Sequence, residues 1–301
     1  MRRTFLFLGL VMVVSFSAQV KENFTYTLNS AYEKELKKYP LITKAVSENS
    51  ENLEVLPNIT FKNIDGKELK LDAFLVKNLT SAAAVILIHG GGWKSGSRDM
   101  LNPLAQEIAK YGYNSFTIDY RLSDEAKYPA AIDDVLEALV FLKKNARKFK
   151  IDTTKIALLG CSSGGQMAAL IGTKYPNAAS AIIDIDGILA FHHPDSQEGA
   201  LAAHWLGGNY EESPAVWKEA SALTHVSAKT PPFLFINSQY IRFSAGQNEM
   251  VSALKSHNIP AEVQKIENSP HTFWLFNPWF SPTVNYIKNF LNLNFKKNEF
   301  L

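Results

Sequence analysis

The stretch KIALLGCSSGGQMAALIGTK, residues 155–174, joins a short apolar run, a turn of small residues and a helical run. The apolar run has no alternating polar residues, which is typical of a parallel strand buried on both faces. In the turn GCSSGG, residues 160–165, only Ser162 has glycine both two residues before it and two residues after it. A sharp strand-to-helix turn needs small residues at those two places. The pattern therefore predicts that Ser162 stands at the tip of such a turn.

Apolar strands and helical runs alternate on both sides of this turn. The strand-like runs are AAAVILIHG, YNSFTIDY, KIALLG, AIIDIDG, PFLFIN and AEVQKIE. A β-hairpin precedes them, with LEVLPNITFKNI and KELKLDAFLVKN on either side of Asp65-Gly66. Residues 129–148 form a clear helical pattern with one apolar face. This progression predicts an α/β fold with a mostly parallel central sheet and helices on both faces.

Length and composition fit one domain behind a short leader. The chain has 301 residues, of which 46% are hydrophobic. Residues 1–17 combine Arg2 and Arg3 with an apolar run and a small-x-small ending, which is typical of a secretory signal peptide. We expect a single domain at residues 18–301, secreted or periplasmic, with no membrane span in the mature form. Residues 188–229 read as irregular between two strands, so we expect an insertion or cap there, after the sixth strand.

The charge balance disfavours nucleic acid and anionic membranes as partners. The chain carries 31 Lys and Arg against 29 Asp and Glu. Because Arg2 and Arg3 lie in the expected signal peptide, the mature chain has no net formal charge and offers no basic excess for such partners. The one cysteine, Cys161, excludes an internal disulfide.

A glycine-rich turn, HGGGW at residues 89–93, directly follows the apolar run AVILI. Glycine lets backbone amides approach a bound molecule closely, and fixed amides stabilise negative charge that develops on a carbonyl oxygen. Of the seven histidines, only His271 falls in the loop after the last strand. A serine on a strand–helix turn followed by a late histidine suits a nucleophile and its base in an α/β architecture.

Together these motifs resemble those of a known superfamily. HGGGW at residues 89–93, DYRLSDEAKYPAAIDDV at 119–135, GCSSGG at 160–165 and the late His271 resemble the α/β-hydrolases. More narrowly, the chain is similar to the esterase/lipase branch, which includes hormone-sensitive-lipase-like and bacterial feruloyl-esterase-like enzymes. The similar region covers most of the chain, and the resemblance implies an α/β-hydrolase fold.

The resemblance also implies roles for individual residues. Ser162 corresponds to the nucleophile of a serine esterase, and His271 to its general base. The backbone amides of Gly91, Gly92 and Ser163 correspond to the oxyanion hole. Neither a metal ion nor an organic cofactor is implied.

The third member of the catalytic triad, a carboxylate, is missing from its usual place in such enzymes, the loop after the strand PFLFIN. Residues 220–248 contain no Asp or Glu, and Tyr240 stands near the expected position. Asp186, at the end of AIIDIDG, can supply the carboxylate from the preceding strand, because a catalytic triad is defined by geometry rather than by chain order. Glu249 can instead reach back from the following helix, or a Ser–His dyad can act without an acid. We predict Asp186.

Aromatic and charged residues adjoin the expected site. Trp93 follows the glycines and Trp274 follows His271, which predicts an apolar or sugar-stacking wall. Arg242 lies in the loop without an acid, where it can pair with a substrate carboxylate. The stretches 236–250 and 269–283 also resemble exported esterases that accompany pectin-degrading enzymes.

These features predict an exported serine carboxylic ester hydrolase that acts through an acyl-enzyme. Its expected substrate is a methyl-, acetyl- or feruloyl-esterified plant polysaccharide or oligosaccharide. A generalist short-chain carboxylesterase or lipase acting on small-molecule esters is the main alternative. A catalytically dead, saccharide-binding relative is a further alternative, which the joint presence of Ser162, the glycine turn and His271 disfavours.

Overall fold

A computed structural model describes residues 26–296, so the expected signal peptide at residues 1–17 lies outside the described range. The strands within that range are β1 (Thr43–Lys44), β2 (Leu53–Ile64), β3 (Lys67–Val76), β4 (Ala82–Ile88), β5 (Asn114–Ile118), β6 (Ile151–Cys161), β7 (Ala181–Ile185), β8 (Phe233–Asn237), β9 (Ala261–Lys265) and β10 (Phe276–Asn277). The helices are α1 (Leu28–Leu36), α2 (Asn102–Lys110), α3 (Ala130–Lys144), α4 (Ala146–Phe149), α5 (Ser163–Lys174), α6 (Gly199–Leu206), α7 (Pro214–Glu219), α8 (Gln247–Ser256) and α9 (Phe280–Phe295). Between residues 26 and 296, no helix has the length and apolar character needed to cross a bilayer.

Eight strands form one sheet in the order β2-β3-β5-β4-β6-β7-β8-β9. The pairs β2–β3 and β3–β5 are antiparallel, and all pairs from β5 to β9 are parallel. The expectation of a mostly parallel sheet is confirmed. Because parallel strands end at the same edge, the turns after β4, β6, β7 and β8 meet there. That edge is where open α/β sheets place their ligands.

The antiparallel edge begins with the expected hairpin of β2 and β3. Asp65 and Gly66 join the strands with φ angles of 51° and 86°. Positive φ at both central residues defines a type I′ turn, whose twist matches that of the two strands. The Asp-Gly pair therefore explains where the chain reverses.

Both faces of the sheet are covered by helices. In β4, Ile86 and Ile88 pack into the apolar layer that contains α3 and α5, whereas Val85 and Leu87 pack into the layer that contains α2 and α9. All four side chains are fully buried. Two covered faces explain why the strand reads as a continuous apolar run rather than an alternating one.

The helix expected at residues 129–148 is divided into α3 and α4 at Asn145. The side-chain amide of Asn145 donates a 2.8 Å hydrogen bond to the carbonyl of Phe141. Asparagine side chains compete in this way for the carbonyls of the last helical turn. The apolar periodicity continues across the break, so the sequence pattern does not reveal it.

Residues 188–229 are more ordered than their sequence indicates. They contain α6, α7 and a 3₁₀ turn at Ala222–His225. With eight and six residues, the two helices are too short to show a clear apolar period. Trp205 of this segment stacks on Trp93 with ring centroids 5.0 Å apart, and its carbonyl accepts a hydrogen bond from the Tyr128 amide. The segment is therefore packed against the turn that follows β4.

Candidate active site

Ser162 occupies a sharp turn between β6 and α5, with φ 55° and ψ −121°. A Cβ atom on Gly160 would lie 1.9 Å from the carbonyl oxygen of Gly164, so the turn closes only with glycine at that place. The Ser162 amide donates a 2.8 Å hydrogen bond to the Ile185 carbonyl, which ties the turn to the end of β7. A strained backbone held by its surroundings is typical of residues that are presented for chemistry.

His271 lies between the side chains of Ser162 and Asp186. Its Nε2 atom is 2.8 Å from Ser162 Oγ, and its Nδ1 atom is 2.8 Å from Asp186 Oδ2. Because an ionised carboxylate only accepts hydrogen bonds, Nδ1 donates to Asp186 and Nε2 accepts from the Ser162 hydroxyl. This arrangement is the one in which an imidazole withdraws a proton from a serine while a carboxylate fixes its orientation.

Asp186 directly follows β7 in a left-handed conformation, with φ 52°, and is 1% exposed. Its second oxygen, Oδ1, accepts a 2.7 Å hydrogen bond from the amide of Ser238, directly after β8. The turn after β8 therefore contributes a backbone donor to the carboxylate rather than a carboxylate of its own. Tyr240, which stands near the usual acid position, accepts a 3.0 Å hydrogen bond from Lys38 Nζ at its hydroxyl.

Glu249 and Asp184 lie in environments that differ from that of Asp186. The Glu249 side chain is 55% exposed and lies 3.4 Å from His193, so the structure does not bring it to His271. Asp184 is buried two residues before Asp186. Burial, followed by the charge of Asp186, raises the pKa of Asp184 well above its usual value and favours its neutral form.

Two aromatic rings hold the imidazole in place. Phe243 stacks on His271 with centroids 3.3 Å apart and an interplanar angle of 11°. Trp274 meets the same ring edge-on at 5.4 Å. Trp274 is buried and is not among the residues that line the cavity beside Ser162, so it supports His271 from behind instead of forming the substrate wall expected from its position after that histidine. Phe243 was not singled out by the sequence, because a lone Phe in a loop carries no motif.

The glycine turn after β4 faces Ser162. Gly91 has a φ angle of 132°, and a Cβ there would lie 2.0 Å from the Ser95 carbonyl oxygen. The carbonyl of Gly91 accepts hydrogen bonds from the amides of Lys94 and Ser95. Among the backbone hydrogen bonds of loops and turns within residues 26–296, none is donated by the amides of Gly91, Gly92 or Ser163. Ser163 is also the first residue of α5, where amides have no partner within the helix. These donors are available to an oxyanion, whose charge the amino end of a helix also favours.

A small cavity opens next to the Ser162 side chain. It measures about 230 Å³, including the space continuous with solvent. Its lining residues are Gly92, Trp93, Ser162, Ser163, Asp186, Ile188, Glu198 and Phe243. Trp93 contributes a wall, and its indole nitrogen is held by a 3.0 Å hydrogen bond that it donates to the side-chain oxygen of Gln166.

Glu198 and Arg242 lie together beside this cavity. Nη1 of Arg242 is 3.9 Å from Oε1 of Glu198, and its guanidinium covers the Phe243 ring at 4.1 Å. Burial raises the pKa of Glu198, although the charges of Arg242 and His271 oppose that shift. The predicted substrate-binding residue Arg242 thus has a carboxylate of the protein beside it. Sequence reasoning did not find Glu198, because the stretch around it contains no recognisable motif.

Comparisons with known proteins point to one family. The BD-FAE family model matches residues 71–242. Esterase LipC of Mycobacterium tuberculosis is 29% identical over 188 residues, which are 56% of this chain and 47% of that protein. The match therefore spans about half of its length. The versiconal hemiacetal acetate esterase of Dothistroma septosporum is 24% identical over 269 residues, covering 80% of this chain and 79% of that protein.

Solved structures share the fold. A truncated carbohydrate esterase from gut microbiota superposes with a TM-score of 0.70 at 19% identity, over 83% of this chain and 100% of that chain. A hyperthermophilic esterase from the archaeon Pyrobaculum calidifontis gives 0.71 at 21% identity, over 92% and 94% of the two chains. Since the family model covers more than half of the chain, the protein belongs to the BD-FAE family, in the esterase branch of the α/β-hydrolases.

Proposed function

We propose that the protein is a serine carboxylic ester hydrolase that works through an acyl-enzyme on Ser162. The observation that carries the proposal is the hydrogen-bonded row of Ser162, His271 and Asp186, with 2.8 Å at both junctions of the imidazole. The esterase names of LipC and of the versiconal hemiacetal acetate enzyme support the same reaction class.

In the acylation step, Ser162, His271 and Asp186 act together. His271 Nε2 takes the proton of Ser162 as Oγ attacks the ester carbonyl carbon, and Asp186 stabilises the imidazolium that forms. The amides of Gly91, Gly92 and Ser163 stabilise the carbonyl oxygen as it becomes negative. The tetrahedral intermediate then collapses: the bond to the alcohol oxygen breaks, and the imidazolium gives that oxygen its proton.

Deacylation repeats the same steps with water. His271 removes a proton from a water molecule, whose oxygen attacks the acyl carbon on Ser162. The second tetrahedral intermediate releases a carboxylic acid, and Ser162 recovers its proton from the imidazolium. Each cycle consumes one ester and one water and yields one alcohol and one acid.

The acyl group in this proposal is short. The cavity beside Ser162 encloses little space, since its 230 Å³ includes the part that is continuous with solvent. Trp93, Ile188 and Phe243 give it apolar walls. An acetyl group suits this space better than a feruloyl group does, so the larger part of the substrate lies outside, on the alcohol side.

For that larger part we propose a sugar, as in an acetylated plant oligosaccharide or polysaccharide. The name of the gut microbiota carbohydrate esterase with the same fold supports this choice, although at 19% identity it shares the fold alone. The pectin-type substrate inferred from residues 236–250 and 269–283 stays a prediction. So does a generalist carboxylesterase, which would use the same site.

Two further parts of the chain belong to the proposal. Residues 188–229 act as a cap, which their packing against Trp93 supports. Residues 1–17 act as an export signal. Sequencing the amino terminus of the mature protein checks that prediction: a start near residue 18 agrees with it, and a retained leader contradicts it.

The direct test compares hydrolysis of p-nitrophenyl acetate by the wild type and by Ser162→Ala, with folding verified by circular dichroism. We expect turnover by the wild type and a loss on the order of 10⁵-fold in kcat for the variant, since the nucleophile is removed. A fluorophosphonate probe should also modify Ser162 in the wild type, as peptide mass spectrometry would show. If the wild type hydrolyses neither this ester nor acetylated sugars faster than Ser162→Ala does, the esterase proposal is wrong.

A further inference from the structure

The cavity beside Ser162 contains one carboxylate that the proposed reaction does not use. Two acidic residues, Asp186 and Glu198, line it. Both oxygens of Asp186 accept hydrogen bonds, one from His271 and one from the amide of Ser238. Glu198 precedes α6, on the segment that packs over the site, and its side chain is 12% exposed. A carboxylate held in that position needs a partner.

Within residues 26–296, no hydrogen-bond donor reaches one of the two oxygens of Glu198. Oε1 is buried, and no donor among the described residues lies within hydrogen-bonding reach. The nearest cationic nitrogen, Nη1 of Arg242, is 3.9 Å away, which is too far for a hydrogen bond. A buried acceptor without a donor costs free energy, and a substrate that brings a donor removes that cost.

We propose that Glu198 is a specificity-determining residue that hydrogen-bonds a hydroxyl group on the alcohol part of the ester. The preferred substrates are then short acyl esters of polyhydroxylated alcohols such as sugars. The inference rests on the proposed esterase function. It assigns the apolar walls of Trp93, Ile188 and Phe243 to the acyl group and the polar side of the cavity to the alcohol.

A hydroxyl group fits this carboxyl better than a cation does. Arg242 already places a positive charge near Glu198, so a cationic alcohol would meet repulsion. A hydroxyl both donates and accepts, and therefore bonds to Glu198 in either protonation state.

The test compares two acetate esters that differ in the hydroxyl groups of the alcohol. One is a monoacetylated methyl glycoside and the other is cyclohexyl acetate, both followed by acetate release. We expect Glu198→Leu to lower kcat/KM for the sugar ester about 10- to 100-fold, the range for losing a hydrogen bond to a charged group. For cyclohexyl acetate we expect a change below about threefold. Glu198→Gln keeps a donor and an acceptor and should retain most of the sugar activity.

Glu249→Gln is the matched control, because it changes an exposed Glu outside the cavity and should affect neither ester. Equal losses on both esters in the Glu198 variants would overturn the inference, since Glu198 would then act through His271 or the fold. Unchanged kinetics on both would also overturn it, as would faster wild-type turnover of acetylcholine than of the sugar ester. If the wild type hydrolyses p-nitrophenyl acetate, a failure of these tests leaves the esterase proposal intact. If it hydrolyses no ester, both fail.

Discussion

The turns after β7 and β8 end neighbouring parallel strands, but they contribute different groups to the same carboxylate site. The turn after β7 carries the side chain of Asp186, whose Oδ2 meets His271. The turn after β8 carries no acid and contributes the amide of Ser238 to Oδ1. Adjacent strands lie only about 4.8 Å apart, so a carboxylate at the end of either one can reach the same imidazole. The site requires a carboxylate oxygen within hydrogen-bonding distance of His271 Nδ1, and the turn after either strand can contribute it.

The turn after β8 contributes other side chains to the site. Phe243 from this loop stacks on His271 and lines the cavity, and Arg242 next to it approaches Glu198. The carboxylate that meets Nδ1 of His271 comes from the turn after β7. The loop after β8 instead contributes an aromatic side chain and a positive charge at the cavity.

Among the variants that test this contrast between the turns after β7 and β8, we expect Asp186→Asn to have the largest effect on kcat. An amide at this place can present its NH₂ group to Nδ1 and favour the wrong tautomer, so we expect kcat for p-nitrophenyl acetate to fall about 10⁴-fold. Steady-state kinetics at pH 8, with circular dichroism as a folding check, measure the change. If the variant keeps more than a tenth of wild-type kcat while Ser162→Ala is inactive, a Ser–His dyad is sufficient and Asp186 is only structural.

A smaller effect is expected from the amide that the turn after β8 contributes. Ser238→Pro removes the N–H that binds Asp186 Oδ1, and hydrogen bonds to charged groups contribute about 1.5–3 kcal/mol. We expect kcat to fall about 10- to 100-fold, because the carboxylate loses one of its two fixed donors. Ser238→Ala keeps the amide and is the matched control. Equal kinetics for the two variants, both folded, would show that the turn after β8 does not support the carboxylate.

The sequence predicted the parts of the site that depend on local backbone geometry. Ser162 was found because a sharp turn excludes side chains at Gly160 and Gly164, and that requirement is visible in the residues themselves. Asp186 was chosen because it ends a strand at the sheet edge where ligands bind. The parallel sheet and the hairpin turn at Asp65-Gly66 were predictable for similar local reasons.

The parts that depend on contacts between distant segments were not predictable. Glu198 reaches the cavity only because α6 packs against the turn after β4, and no residue pattern near it shows that packing. Trp93 and Trp274 were both expected as substrate walls, and of the two only Trp93 lines the cavity. A Trp next to a motif gives the same sequence pattern whether its side chain faces a ligand or the core. Only the fold places Trp274 behind His271.

A still smaller effect on catalysis is expected from Asp184→Asn, since burial already favours the neutral form of this side chain. We expect kcat within about threefold of the wild type, in contrast to Asp186→Asn two residues later. The pKa of Asp184 is raised in the folded protein, so the unfolded chain loses this proton at a lower pH. Above about pH 4, the proton held by Asp184 therefore makes a contribution that lowers the stability of the wild type, and the variant lacks that contribution. Thermal unfolding at pH 4 and pH 8 should show the variant gaining relative stability at pH 8. A loss of activity as large as that of Asp186→Asn would instead mean that the two aspartates share one functional proton.

The smallest effect is expected from Glu249→Gln. The side chain is exposed and lies 3.4 Å from His193, so removing its charge leaves the hydrogen bonds among Ser162, His271 and Asp186 unchanged. We expect kcat and KM for p-nitrophenyl acetate within about twofold of the wild type, because exposed ion pairs contribute roughly 0–1 kcal/mol. A loss of tenfold or more would mean that Glu249 moves to His271 during turnover. The carboxylate would then come from the helix after β8, and the contrast between the two turns would fail. An unchanged rate, together with the loss in Asp186→Asn, limits the functional carboxylate to the end of β7.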